Sequence, residues 1–399
     1  MLPTPRAYLS VRPLTFGHHL RQSDGIEWMK AALRRAAQTR PTPDLDRALR
    51  YYDVLARRSA VERRVTALED YAHRDWDRMR LHTAPASGDG QAAAPPPALW
   101  FEAPLEGRME TFAETATDLA RDAFADDAEP PDAVLQVSCT GYDSPSAVQR
   151  VLAERGWHGR ARVLSVGHMG CYAALPALAT AADLAAAAAH RAAVPASGEP
   201  EAADARAAVF LVELCTLHHH PATTDPEQIV QQCLFADGAA RLDVTTRPPA
   251  GDDHFAFLDH FETVVPDTLD EMTWRPANGA FRMTLSRAVP DHIRTNVAGA
   301  VEAFLAQNGL GLDDVDLFAI HPGGPRVIES TAEALGIDED RVRHSHAVLR
   351  DRGNMSSTTL PHIWDRIAAD DAVPAGALVC SVAFGPGLTV TGNLLRKGD

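Results

Sequence analysis

From residue 172 to 189 the chain reads Tyr-Ala-Ala-Leu-Pro-Ala-Leu-Ala-Thr-Ala-Ala-Asp-Leu-Ala-Ala-Ala-Ala-Ala, a helical run with very little polar surface. A helix that is apolar on nearly every side belongs in an interior. Pro176, Thr180 and Asp183 interrupt this one, and it is too weakly hydrophobic to span a membrane. Directly before it, Leu164-Ser-Val-Gly-His-Met169 reads as the end of a strand, which makes Gly170-Cys171 a tight turn into the helix. A thiol placed there meets free N–H groups and the positive end of the helix dipole, which favour a thiolate. A lone Cys in this position is equally compatible with inert packing, because free Cys behaves as a small hydrophobe.

Two later segments weigh against inert packing. In Leu317-Phe-Ala-Ile-His321-Pro-Gly-Gly-Pro325 an apolar strand ends in a His before a Gly/Pro turn and a helix, Arg326 to Leu335. A His at that edge points into the crevice where open α/β sheets bind ligands. In Asp351-Arg-Gly-Asn354-Met-Ser-Ser-Thr-Thr359 a Gly-Asn turn opens another helix, and its amide is an uncharged donor suited to a developing oxyanion. A carboxylate in place of Asn354 would orient His321 for hydrolysis, whereas an amide suits an enolate. Papain-like proteases also pair Cys and His with Asn, so this point does not decide between the two chemistries.

In this order the three segments resemble the Cys-His-Asn triad of the thiolase-like condensing enzymes. His-Pro-Gly-Gly-Pro, Gly-Asn-Met-Ser-Ser and the terminal Phe384-Gly-Pro-Gly387 are similar to the type III polyketide synthases, the chalcone synthase family. Leu234-Phe-Ala-Asp-Gly-Ala239 resembles that family's Leu-Phe-Gly-Asp-Gly-Ala segment, and Cys139-Thr-Gly-Tyr-Asp-Ser-Pro145 its Thr-Ser-Gly-x-Asp-x-Pro loop. The matches run from about residue 110 to the C-terminus, and the first hundred residues match weakly. The resemblance implies a five-layered αβαβα thiolase fold of two duplicated halves, residues 1–205 with Cys171 and 206–399 with His321 and Asn354. No repeat visible in the sequence shows the duplication independently.

The 399 residues are 45% hydrophobic and can bury a large core. Strand and helix patterns alternate in both halves, which by itself implies a layered α/β fold. Residues 24–80 read as helical, with Trp28, Leu33, Leu45, Leu49, Val54 and Leu55 on recurring apolar positions. Residues 82–97 read as a low-complexity flexible loop. The net charge of −16 argues against a nucleic-acid partner. Nothing has spanning length, the start lacks a signal-peptide pattern, and Cys139, Cys171, Cys215, Cys233 and Cys380 lack paired spacing. A reduced, cytoplasmic protein without membrane insertion is expected.

By resemblance, Cys171 accepts an acyl starter from coenzyme A or an acyl carrier protein. His321 and Asn354 then stabilise the enolate left when a malonyl thioester loses carbon dioxide, and that enolate attacks the Cys-bound acyl group. Coenzyme A thioesters are substrates, and neither metal nor cofactor is called for. The resemblance also implies a homodimer. It places Phe235 as a gatekeeper beside the triad and Met283 at a second gatekeeper position. Trp274, Ser356 and Cys139 fall among cavity residues, with Gly385 and Pro386 on the terminal loop. Ser144 stands where the family often carries a Met that crosses the dimer interface. These departures point away from a chalcone product and towards a bacterial-type substrate with an aliphatic starter. The basic stretch Arg57, Arg58, Arg63 and Arg64 reads as a solvated helix face or as a docking patch for coenzyme A phosphates or a carrier protein.

Leu214-Cys-Thr-Leu-His218-His-His-Pro221 carries three consecutive His residues. On a strand only His218 and His220 would share a side, and no second cluster at ligand spacing accompanies them, so a metal site is not expected. The resemblance sets His218 and His219 beside the cavity, where they would influence starter choice or cyclisation. One alternative keeps the triad: a stand-alone ketosynthase that joins two carrier-bound β-ketoacyl chains into an α-pyrone. A fatty-acid initiating ketosynthase and a catalytically silent acyl-binding partner are further readings. The His turn disfavours the first and the intact triad disfavours the second.

Overall fold

The structure, a computed structural model, describes residues 2–39, 41–82, 104–193, 204–251 and 253–398. Its spine is a nine-stranded sheet among the described residues, in the order β11-β12-β13-β8-β1-β7-β6-β4-β5. On one flank are β4 (Ala133–Ser138), β5 (Arg162–Gly167), β6 (Arg206–Leu214), β7 (Asp237–Thr245) and β1 (Ala7–Pro13). The other holds β8 (Phe255–Val264), β11 (Leu317–Ile320), β12 (Leu378–Gly385) and β13 (Thr389–Lys397). Each flank contains a parallel pair at its outer end, β4–β5 and β11–β12. The sheet runs unbroken across the expected 205/206 boundary: β6 pairs with β4 in parallel and with β7 antiparallel.

Alternation along the strands sorts the cores. Leu135 and Val137 of β4, Val209 and Leu211 of β6, and Leu317 and Ala319 of β11 face one cluster. That cluster is filled by α5 (Ala174–Ala193) and α10 (Thr359–Ala368), through residues such as Leu175, Leu178, Leu360 and Trp364. The opposite faces of β4 and β6, with Val134, Phe210 and Val212, pack against four helices. These are α1 (Gln22–Thr39), α2 (Leu45–Arg58), α3 (Leu105–Ala123) and α4 (Ala147–Glu154). Phe318 and Ile320 of β11, with Val382 of β12, instead meet α7 (Val289–Gln307) and α8 (Pro325–Leu335). Helices outside, sheet, two buried helices, sheet and helices outside make the five layers that the resemblance implies. The apolar run is one of the two helices of the middle layer.

The expected helix over residues 24–80 ends early. After α1 and α2 the chain forms β3 (Arg63–Thr66), which pairs antiparallel with β2 (His18–Arg21). Val65 and Thr66 favour a strand, and the Glu62 N–H is held by the Arg350 carbonyl while the Glu62 carbonyl accepts from Gln22. Val54 is exposed. Of the expected flexible loop only His82 lies within the described residues; it is buried and its backbone N–H donates to Asp70.

Two glycines let the middle layer approach the sheet. Gly170 has φ +83°, and a Cβ there would sit 2.8 Å from Pro386 Cδ. A Cβ on Gly385, at the end of β12, would fall 2.1 Å from the Tyr172 ring. The Gly385→Ala variant is therefore expected to lose about 1–3 kcal/mol of stability, measured by urea unfolding, because Tyr172 can retreat only by shifting the turn that carries Cys171.

Candidate active site

The turn at 170–173 sets Cys171 just ahead of α5, His321 follows β11, and Asn354 follows α9 (Arg343–Arg352). All three side chains are buried, and all three line one large channel of about 680 Å³, measured as volume open to the centre of a water molecule. Cys171 also lines a smaller inner chamber of about 50 Å³. Five residues border both spaces: Cys171, Gln231, Phe235, Met272 and Met283. The two expected gatekeepers therefore stand with the thiol at the passage between the chambers.

Backbone bonds fix the Asn354 side of this passage. The Asn354 N–H donates to the Leu234 carbonyl at 2.9 Å, and the Ala236 N–H donates to the Asn354 carbonyl at 2.8 Å. Asn354 and Phe235 thus form an isolated parallel bridge. Within the turn, Asn354 Oδ1 accepts from the Ser356 N–H at 2.9 Å, and its Nδ2 lies 3.5 Å from the Gly323 carbonyl on the channel wall. Hydrogen bonds from Ser356 and Asn354 pull the Cys171 thiol down, but burial outweighs them and pushes it up to about 12. Burial holds His321 down at about 3. The resting pair is a neutral thiol and a neutral imidazole, so burial defeats the helix-terminus effect that favours a thiolate. Neither His321 ring nitrogen has a partner among the described residues.

The other expected site residues divide. Cys139, His218, His219, Trp274, Ser356 and Pro386 line the inner chamber. Ser144 is exposed and borders neither space, and Gly385 acts by its lack of a side chain rather than as a wall. The triple His is not on a strand: Cys215–His218 is a single 3₁₀ turn. The period-two pairing of His218 with His220 therefore fails, and His218 and His219 face the chamber instead. His218 is fully engaged, with Nε2 2.7 Å from the Thr140 carbonyl, Nδ1 accepting from the Phe281 N–H at 3.0 Å, and its ring stacked on Phe281. No group of three or more potential ligands could hold a metal among the described residues.

The basic stretch is split where α2 ends at Arg58 and β3 begins at Arg63. Arg57 and Arg58 are exposed at the end of α2, and Arg58 borders the channel. Arg63 is exposed and paired with Asp351 at 3.0 Å. Arg64 corrects the docking expectation: it is buried and donates to the Gln232 and Phe235 carbonyls, clamping the turn that carries Phe235. Arg287 and Arg326, exposed at the channel wall, were not signalled by any motif. Glu213 was also missed, although an acid at the end of the apolar strand Ala207–Leu214 was a visible anomaly. Its buried carboxylate accepts from the Cys139 N–H, Thr140 Oγ1 and Ser357 Oγ, and burial raises its pKa.

Residues 258–398 match the family model for chalcone and stilbene synthases, C-terminal domain. The chain is 32% identical over 305 residues to alpha-pyrone synthesis polyketide synthase-like Pks18 of Mycobacterium tuberculosis, a match covering 73% of each protein. The chain belongs to the type III polyketide synthase family. Like that family it is an acyltransferase. It is also 26% identical over 263 residues to 1,3,6,8-tetrahydroxynaphthalene synthase of Streptomyces coelicolor, covering 66% of each. Among solved structures, PKS-I of the brown alga Ectocarpus siliculosus superposes with a TM-score of 0.77 at 24% identity, over 99% of this chain and 98% of that one. The Streptomyces coelicolor synthase superposes with a TM-score of 0.76 at 21% identity, over 98% and 99%. These superpositions establish the thiolase fold. No helix among the described residues is long and apolar enough to cross a membrane.

Arg64→Met is expected to cost about 2 kcal/mol, since two buried carbonyls lose a donor. It should leave the salt dependence of thioester KM unchanged; thermal melts and KM across a salt series check this. A second expectation concerns acid. The unfolded chain protonates His321 near 6.5, whereas the folded chain keeps it neutral to about 3. The stability it contributes is complete above pH 6.5 and lost as pH falls towards 3. His218 and His362, also held at about 3, act in the same sense, and Asp237, raised to about 6, acts in the opposite one. His321→Gln should therefore lose up to about 2 kcal/mol less than wild type between pH 7 and pH 5, read by urea unfolding at each pH.

Proposed function

We propose that Cys171 takes an acyl group from an acyl-coenzyme A thioester and extends it with units derived from malonyl-coenzyme A. The observation that carries this reading is the common channel of Cys171, His321 and Asn354, with Phe235 and Met283 at its inner end. His321 removes the thiol proton as Cys171 attacks the thioester, the C–S bond to coenzyme A breaks, and coenzyme A leaves as its thiol with that proton. The malonyl thioester then binds in the same channel, with its carbonyl oxygen against His321 and the Asn354 amide. Loss of carbon dioxide leaves an enolate whose charge those two donors carry. The enolate carbon attacks the Cys171-bound carbonyl, forming a C–C bond and releasing the Cys171 thiolate. The extended chain, now a coenzyme A thioester, can return to Cys171 for another round.

The product class this supports is a small polyketide that closes to a pyrone or resorcinol. The match to the mycobacterial alpha-pyrone synthesis protein favours the pyrone. Arg58, Arg287 and Arg326 are the arginines suited to the coenzyme A phosphates, and none is in an ion pair among the described residues. A carrier protein would use the same mouth. The edge position of β5 supports a homodimer, because its free edge and half-exposed Leu164 and Val166 suit cover by a second copy. Five free cysteines suit the reducing cytoplasm.

Intact-protein mass spectrometry of wild type and Cys171→Ala with acyl-coenzyme A donors and malonyl-coenzyme A tests the reading. The expected result is a Cys171-dependent acyl adduct and products that grow by acetate-sized units. An adduct formed only from carrier-bound β-ketoacyl chains, never extended by malonyl-coenzyme A, would replace it with the chain-joining ketosynthase. The Arg58→Glu/Arg326→Glu double variant should raise the malonyl-coenzyme A KM about tenfold with kcat little changed, and high salt should narrow the gap.

A further inference from the structure

The inner chamber contains a feature that the extension chemistry does not use. His219 and Gln232 line it but not the channel, so they lie beyond the passage at Phe235 and Met283. Both are almost fully buried, at 5% and 3% exposure. Among the described residues neither ring nitrogen of His219 has a hydrogen-bond partner, and neither does Gln232 Nε2. The other end of the Gln232 amide is engaged, its Oε1 accepting from the His220 N–H at 3.0 Å, which leaves the NH₂ group on the unpaired side. His218 next door contrasts with them, since both its nitrogens are satisfied by backbone. Buried polar groups without partners are rare and unfavourable. Two of them on one wall of a substrate chamber mark a place where the ligand supplies the missing partner.

Their chemistry specifies that partner. Burial and neighbouring cations hold His219 well below the usual imidazole range, so it is neutral, with one N–H donor and one acceptor nitrogen. Gln232 adds an NH₂ donor. The wall therefore offers donors to a carbonyl or hydroxyl oxygen and no charge to a carboxylate. Volume narrows the choice further. About 50 Å³ open to water centres corresponds to roughly four waters, which is room for a short chain and not for a long alkyl tail.

We propose that His219 and Gln232 form an oxygen-holding seat that selects short acyl groups bearing a keto or hydroxyl oxygen beyond the thioester carbonyl. The seat rests on the reading of Cys171 as the acyl carrier, and it replaces the aliphatic starter expected from the departures in the cavity residues. It acts by binding and orientation. An acyl chain anchored at its oxygen is held in one conformation across the passage, which also fixes the carbonyl that the incoming enolate attacks.

The test uses the full-length chain and two four-carbon thioesters, acetoacetyl-coenzyme A and butyryl-coenzyme A, with 3-hydroxybutyryl-coenzyme A as a third. Rates of Cys171 acylation at subsaturating thioester are read by intact-protein mass spectrometry for wild type, His219→Phe and His219→Gln. Comparing each variant's acetoacetyl-to-butyryl ratio with that of wild type cancels the intrinsic reactivity of the thioesters. His219→Phe is expected to lower that ratio about tenfold, with butyryl loading unchanged or faster and the melting temperature maintained. His219→Gln, which keeps a donor, should restore most of the ratio. In wild type, 3-hydroxybutyryl should load faster than butyryl, a comparison that needs no variant. Equal loading of those two by wild type, or a ratio unmoved in His219→Phe, overturns the seat while leaving Cys171 as the carrier. Absence of any Cys171 adduct from every thioester overturns the carrier reading and the seat with it.

Discussion

The architecture depends on burying most of α5, which keeps only a narrow exposed stripe through Thr180, Asp183, Ala187 and His190. Once α5 lies between the two flanks of the sheet, its N-terminus must emerge at an edge where strand ends from both flanks converge. Close approach is possible there because Gly170 takes a positive φ and Gly385 has no Cβ to strike Tyr172. The position of the proposed nucleophile is thus a by-product of packing, since the turn that leads into α5 is the turn that holds Cys171. Asn354 reaches the same place by a backbone bridge to Phe235, and Arg64 secures that bridge from below.

Electrostatics at the site follow from the same burial. Burial raises the thiol and lowers the imidazole, so neither group is charged at rest. Charge then appears only when a substrate oxygen or a sulfur leaving group is present to share it, and the low-dielectric surroundings strengthen each donor aimed at that charge. The cost shows in acid, where several buried histidines must be kept neutral against the solvent.

The scaffold was legible in the chain where period and composition agreed. The Leu164–Met169 strand, the Ala-rich helix and the turns bearing His321 and Asn354 all stood out from local sequence. The misreadings occurred where distant partners decide the outcome. Arg63 and Arg64 looked like a continuation of a charged helix, yet pairing with His18–Arg21 made them a strand and turned Arg64 inward. His218 to His220 looked extended, but a 3₁₀ turn rotated two of them to the same chamber. Arg287, Arg326 and Gln232 belong to no motif, and only the fold places them beside the substrate spaces. Glu213 is an intermediate case. An acid at the end of an apolar strand signals a buried network, but not which hydroxyls and amides will answer it.

If Cys171 carries the acyl chain as proposed, the passage between the two spaces governs how long that chain can become. With Cys171 on their shared wall, the acyl chain grows inward while each new unit arrives from the channel. The inner room is finite, so every round of growth leaves less space for the next. Eventually the chain can be accommodated only by folding back towards its own thioester or by retreating along the route the incoming thioester uses. Termination on this plan is a traffic conflict, and product length becomes a ratio of rates that responds to extender supply as well as to the walls.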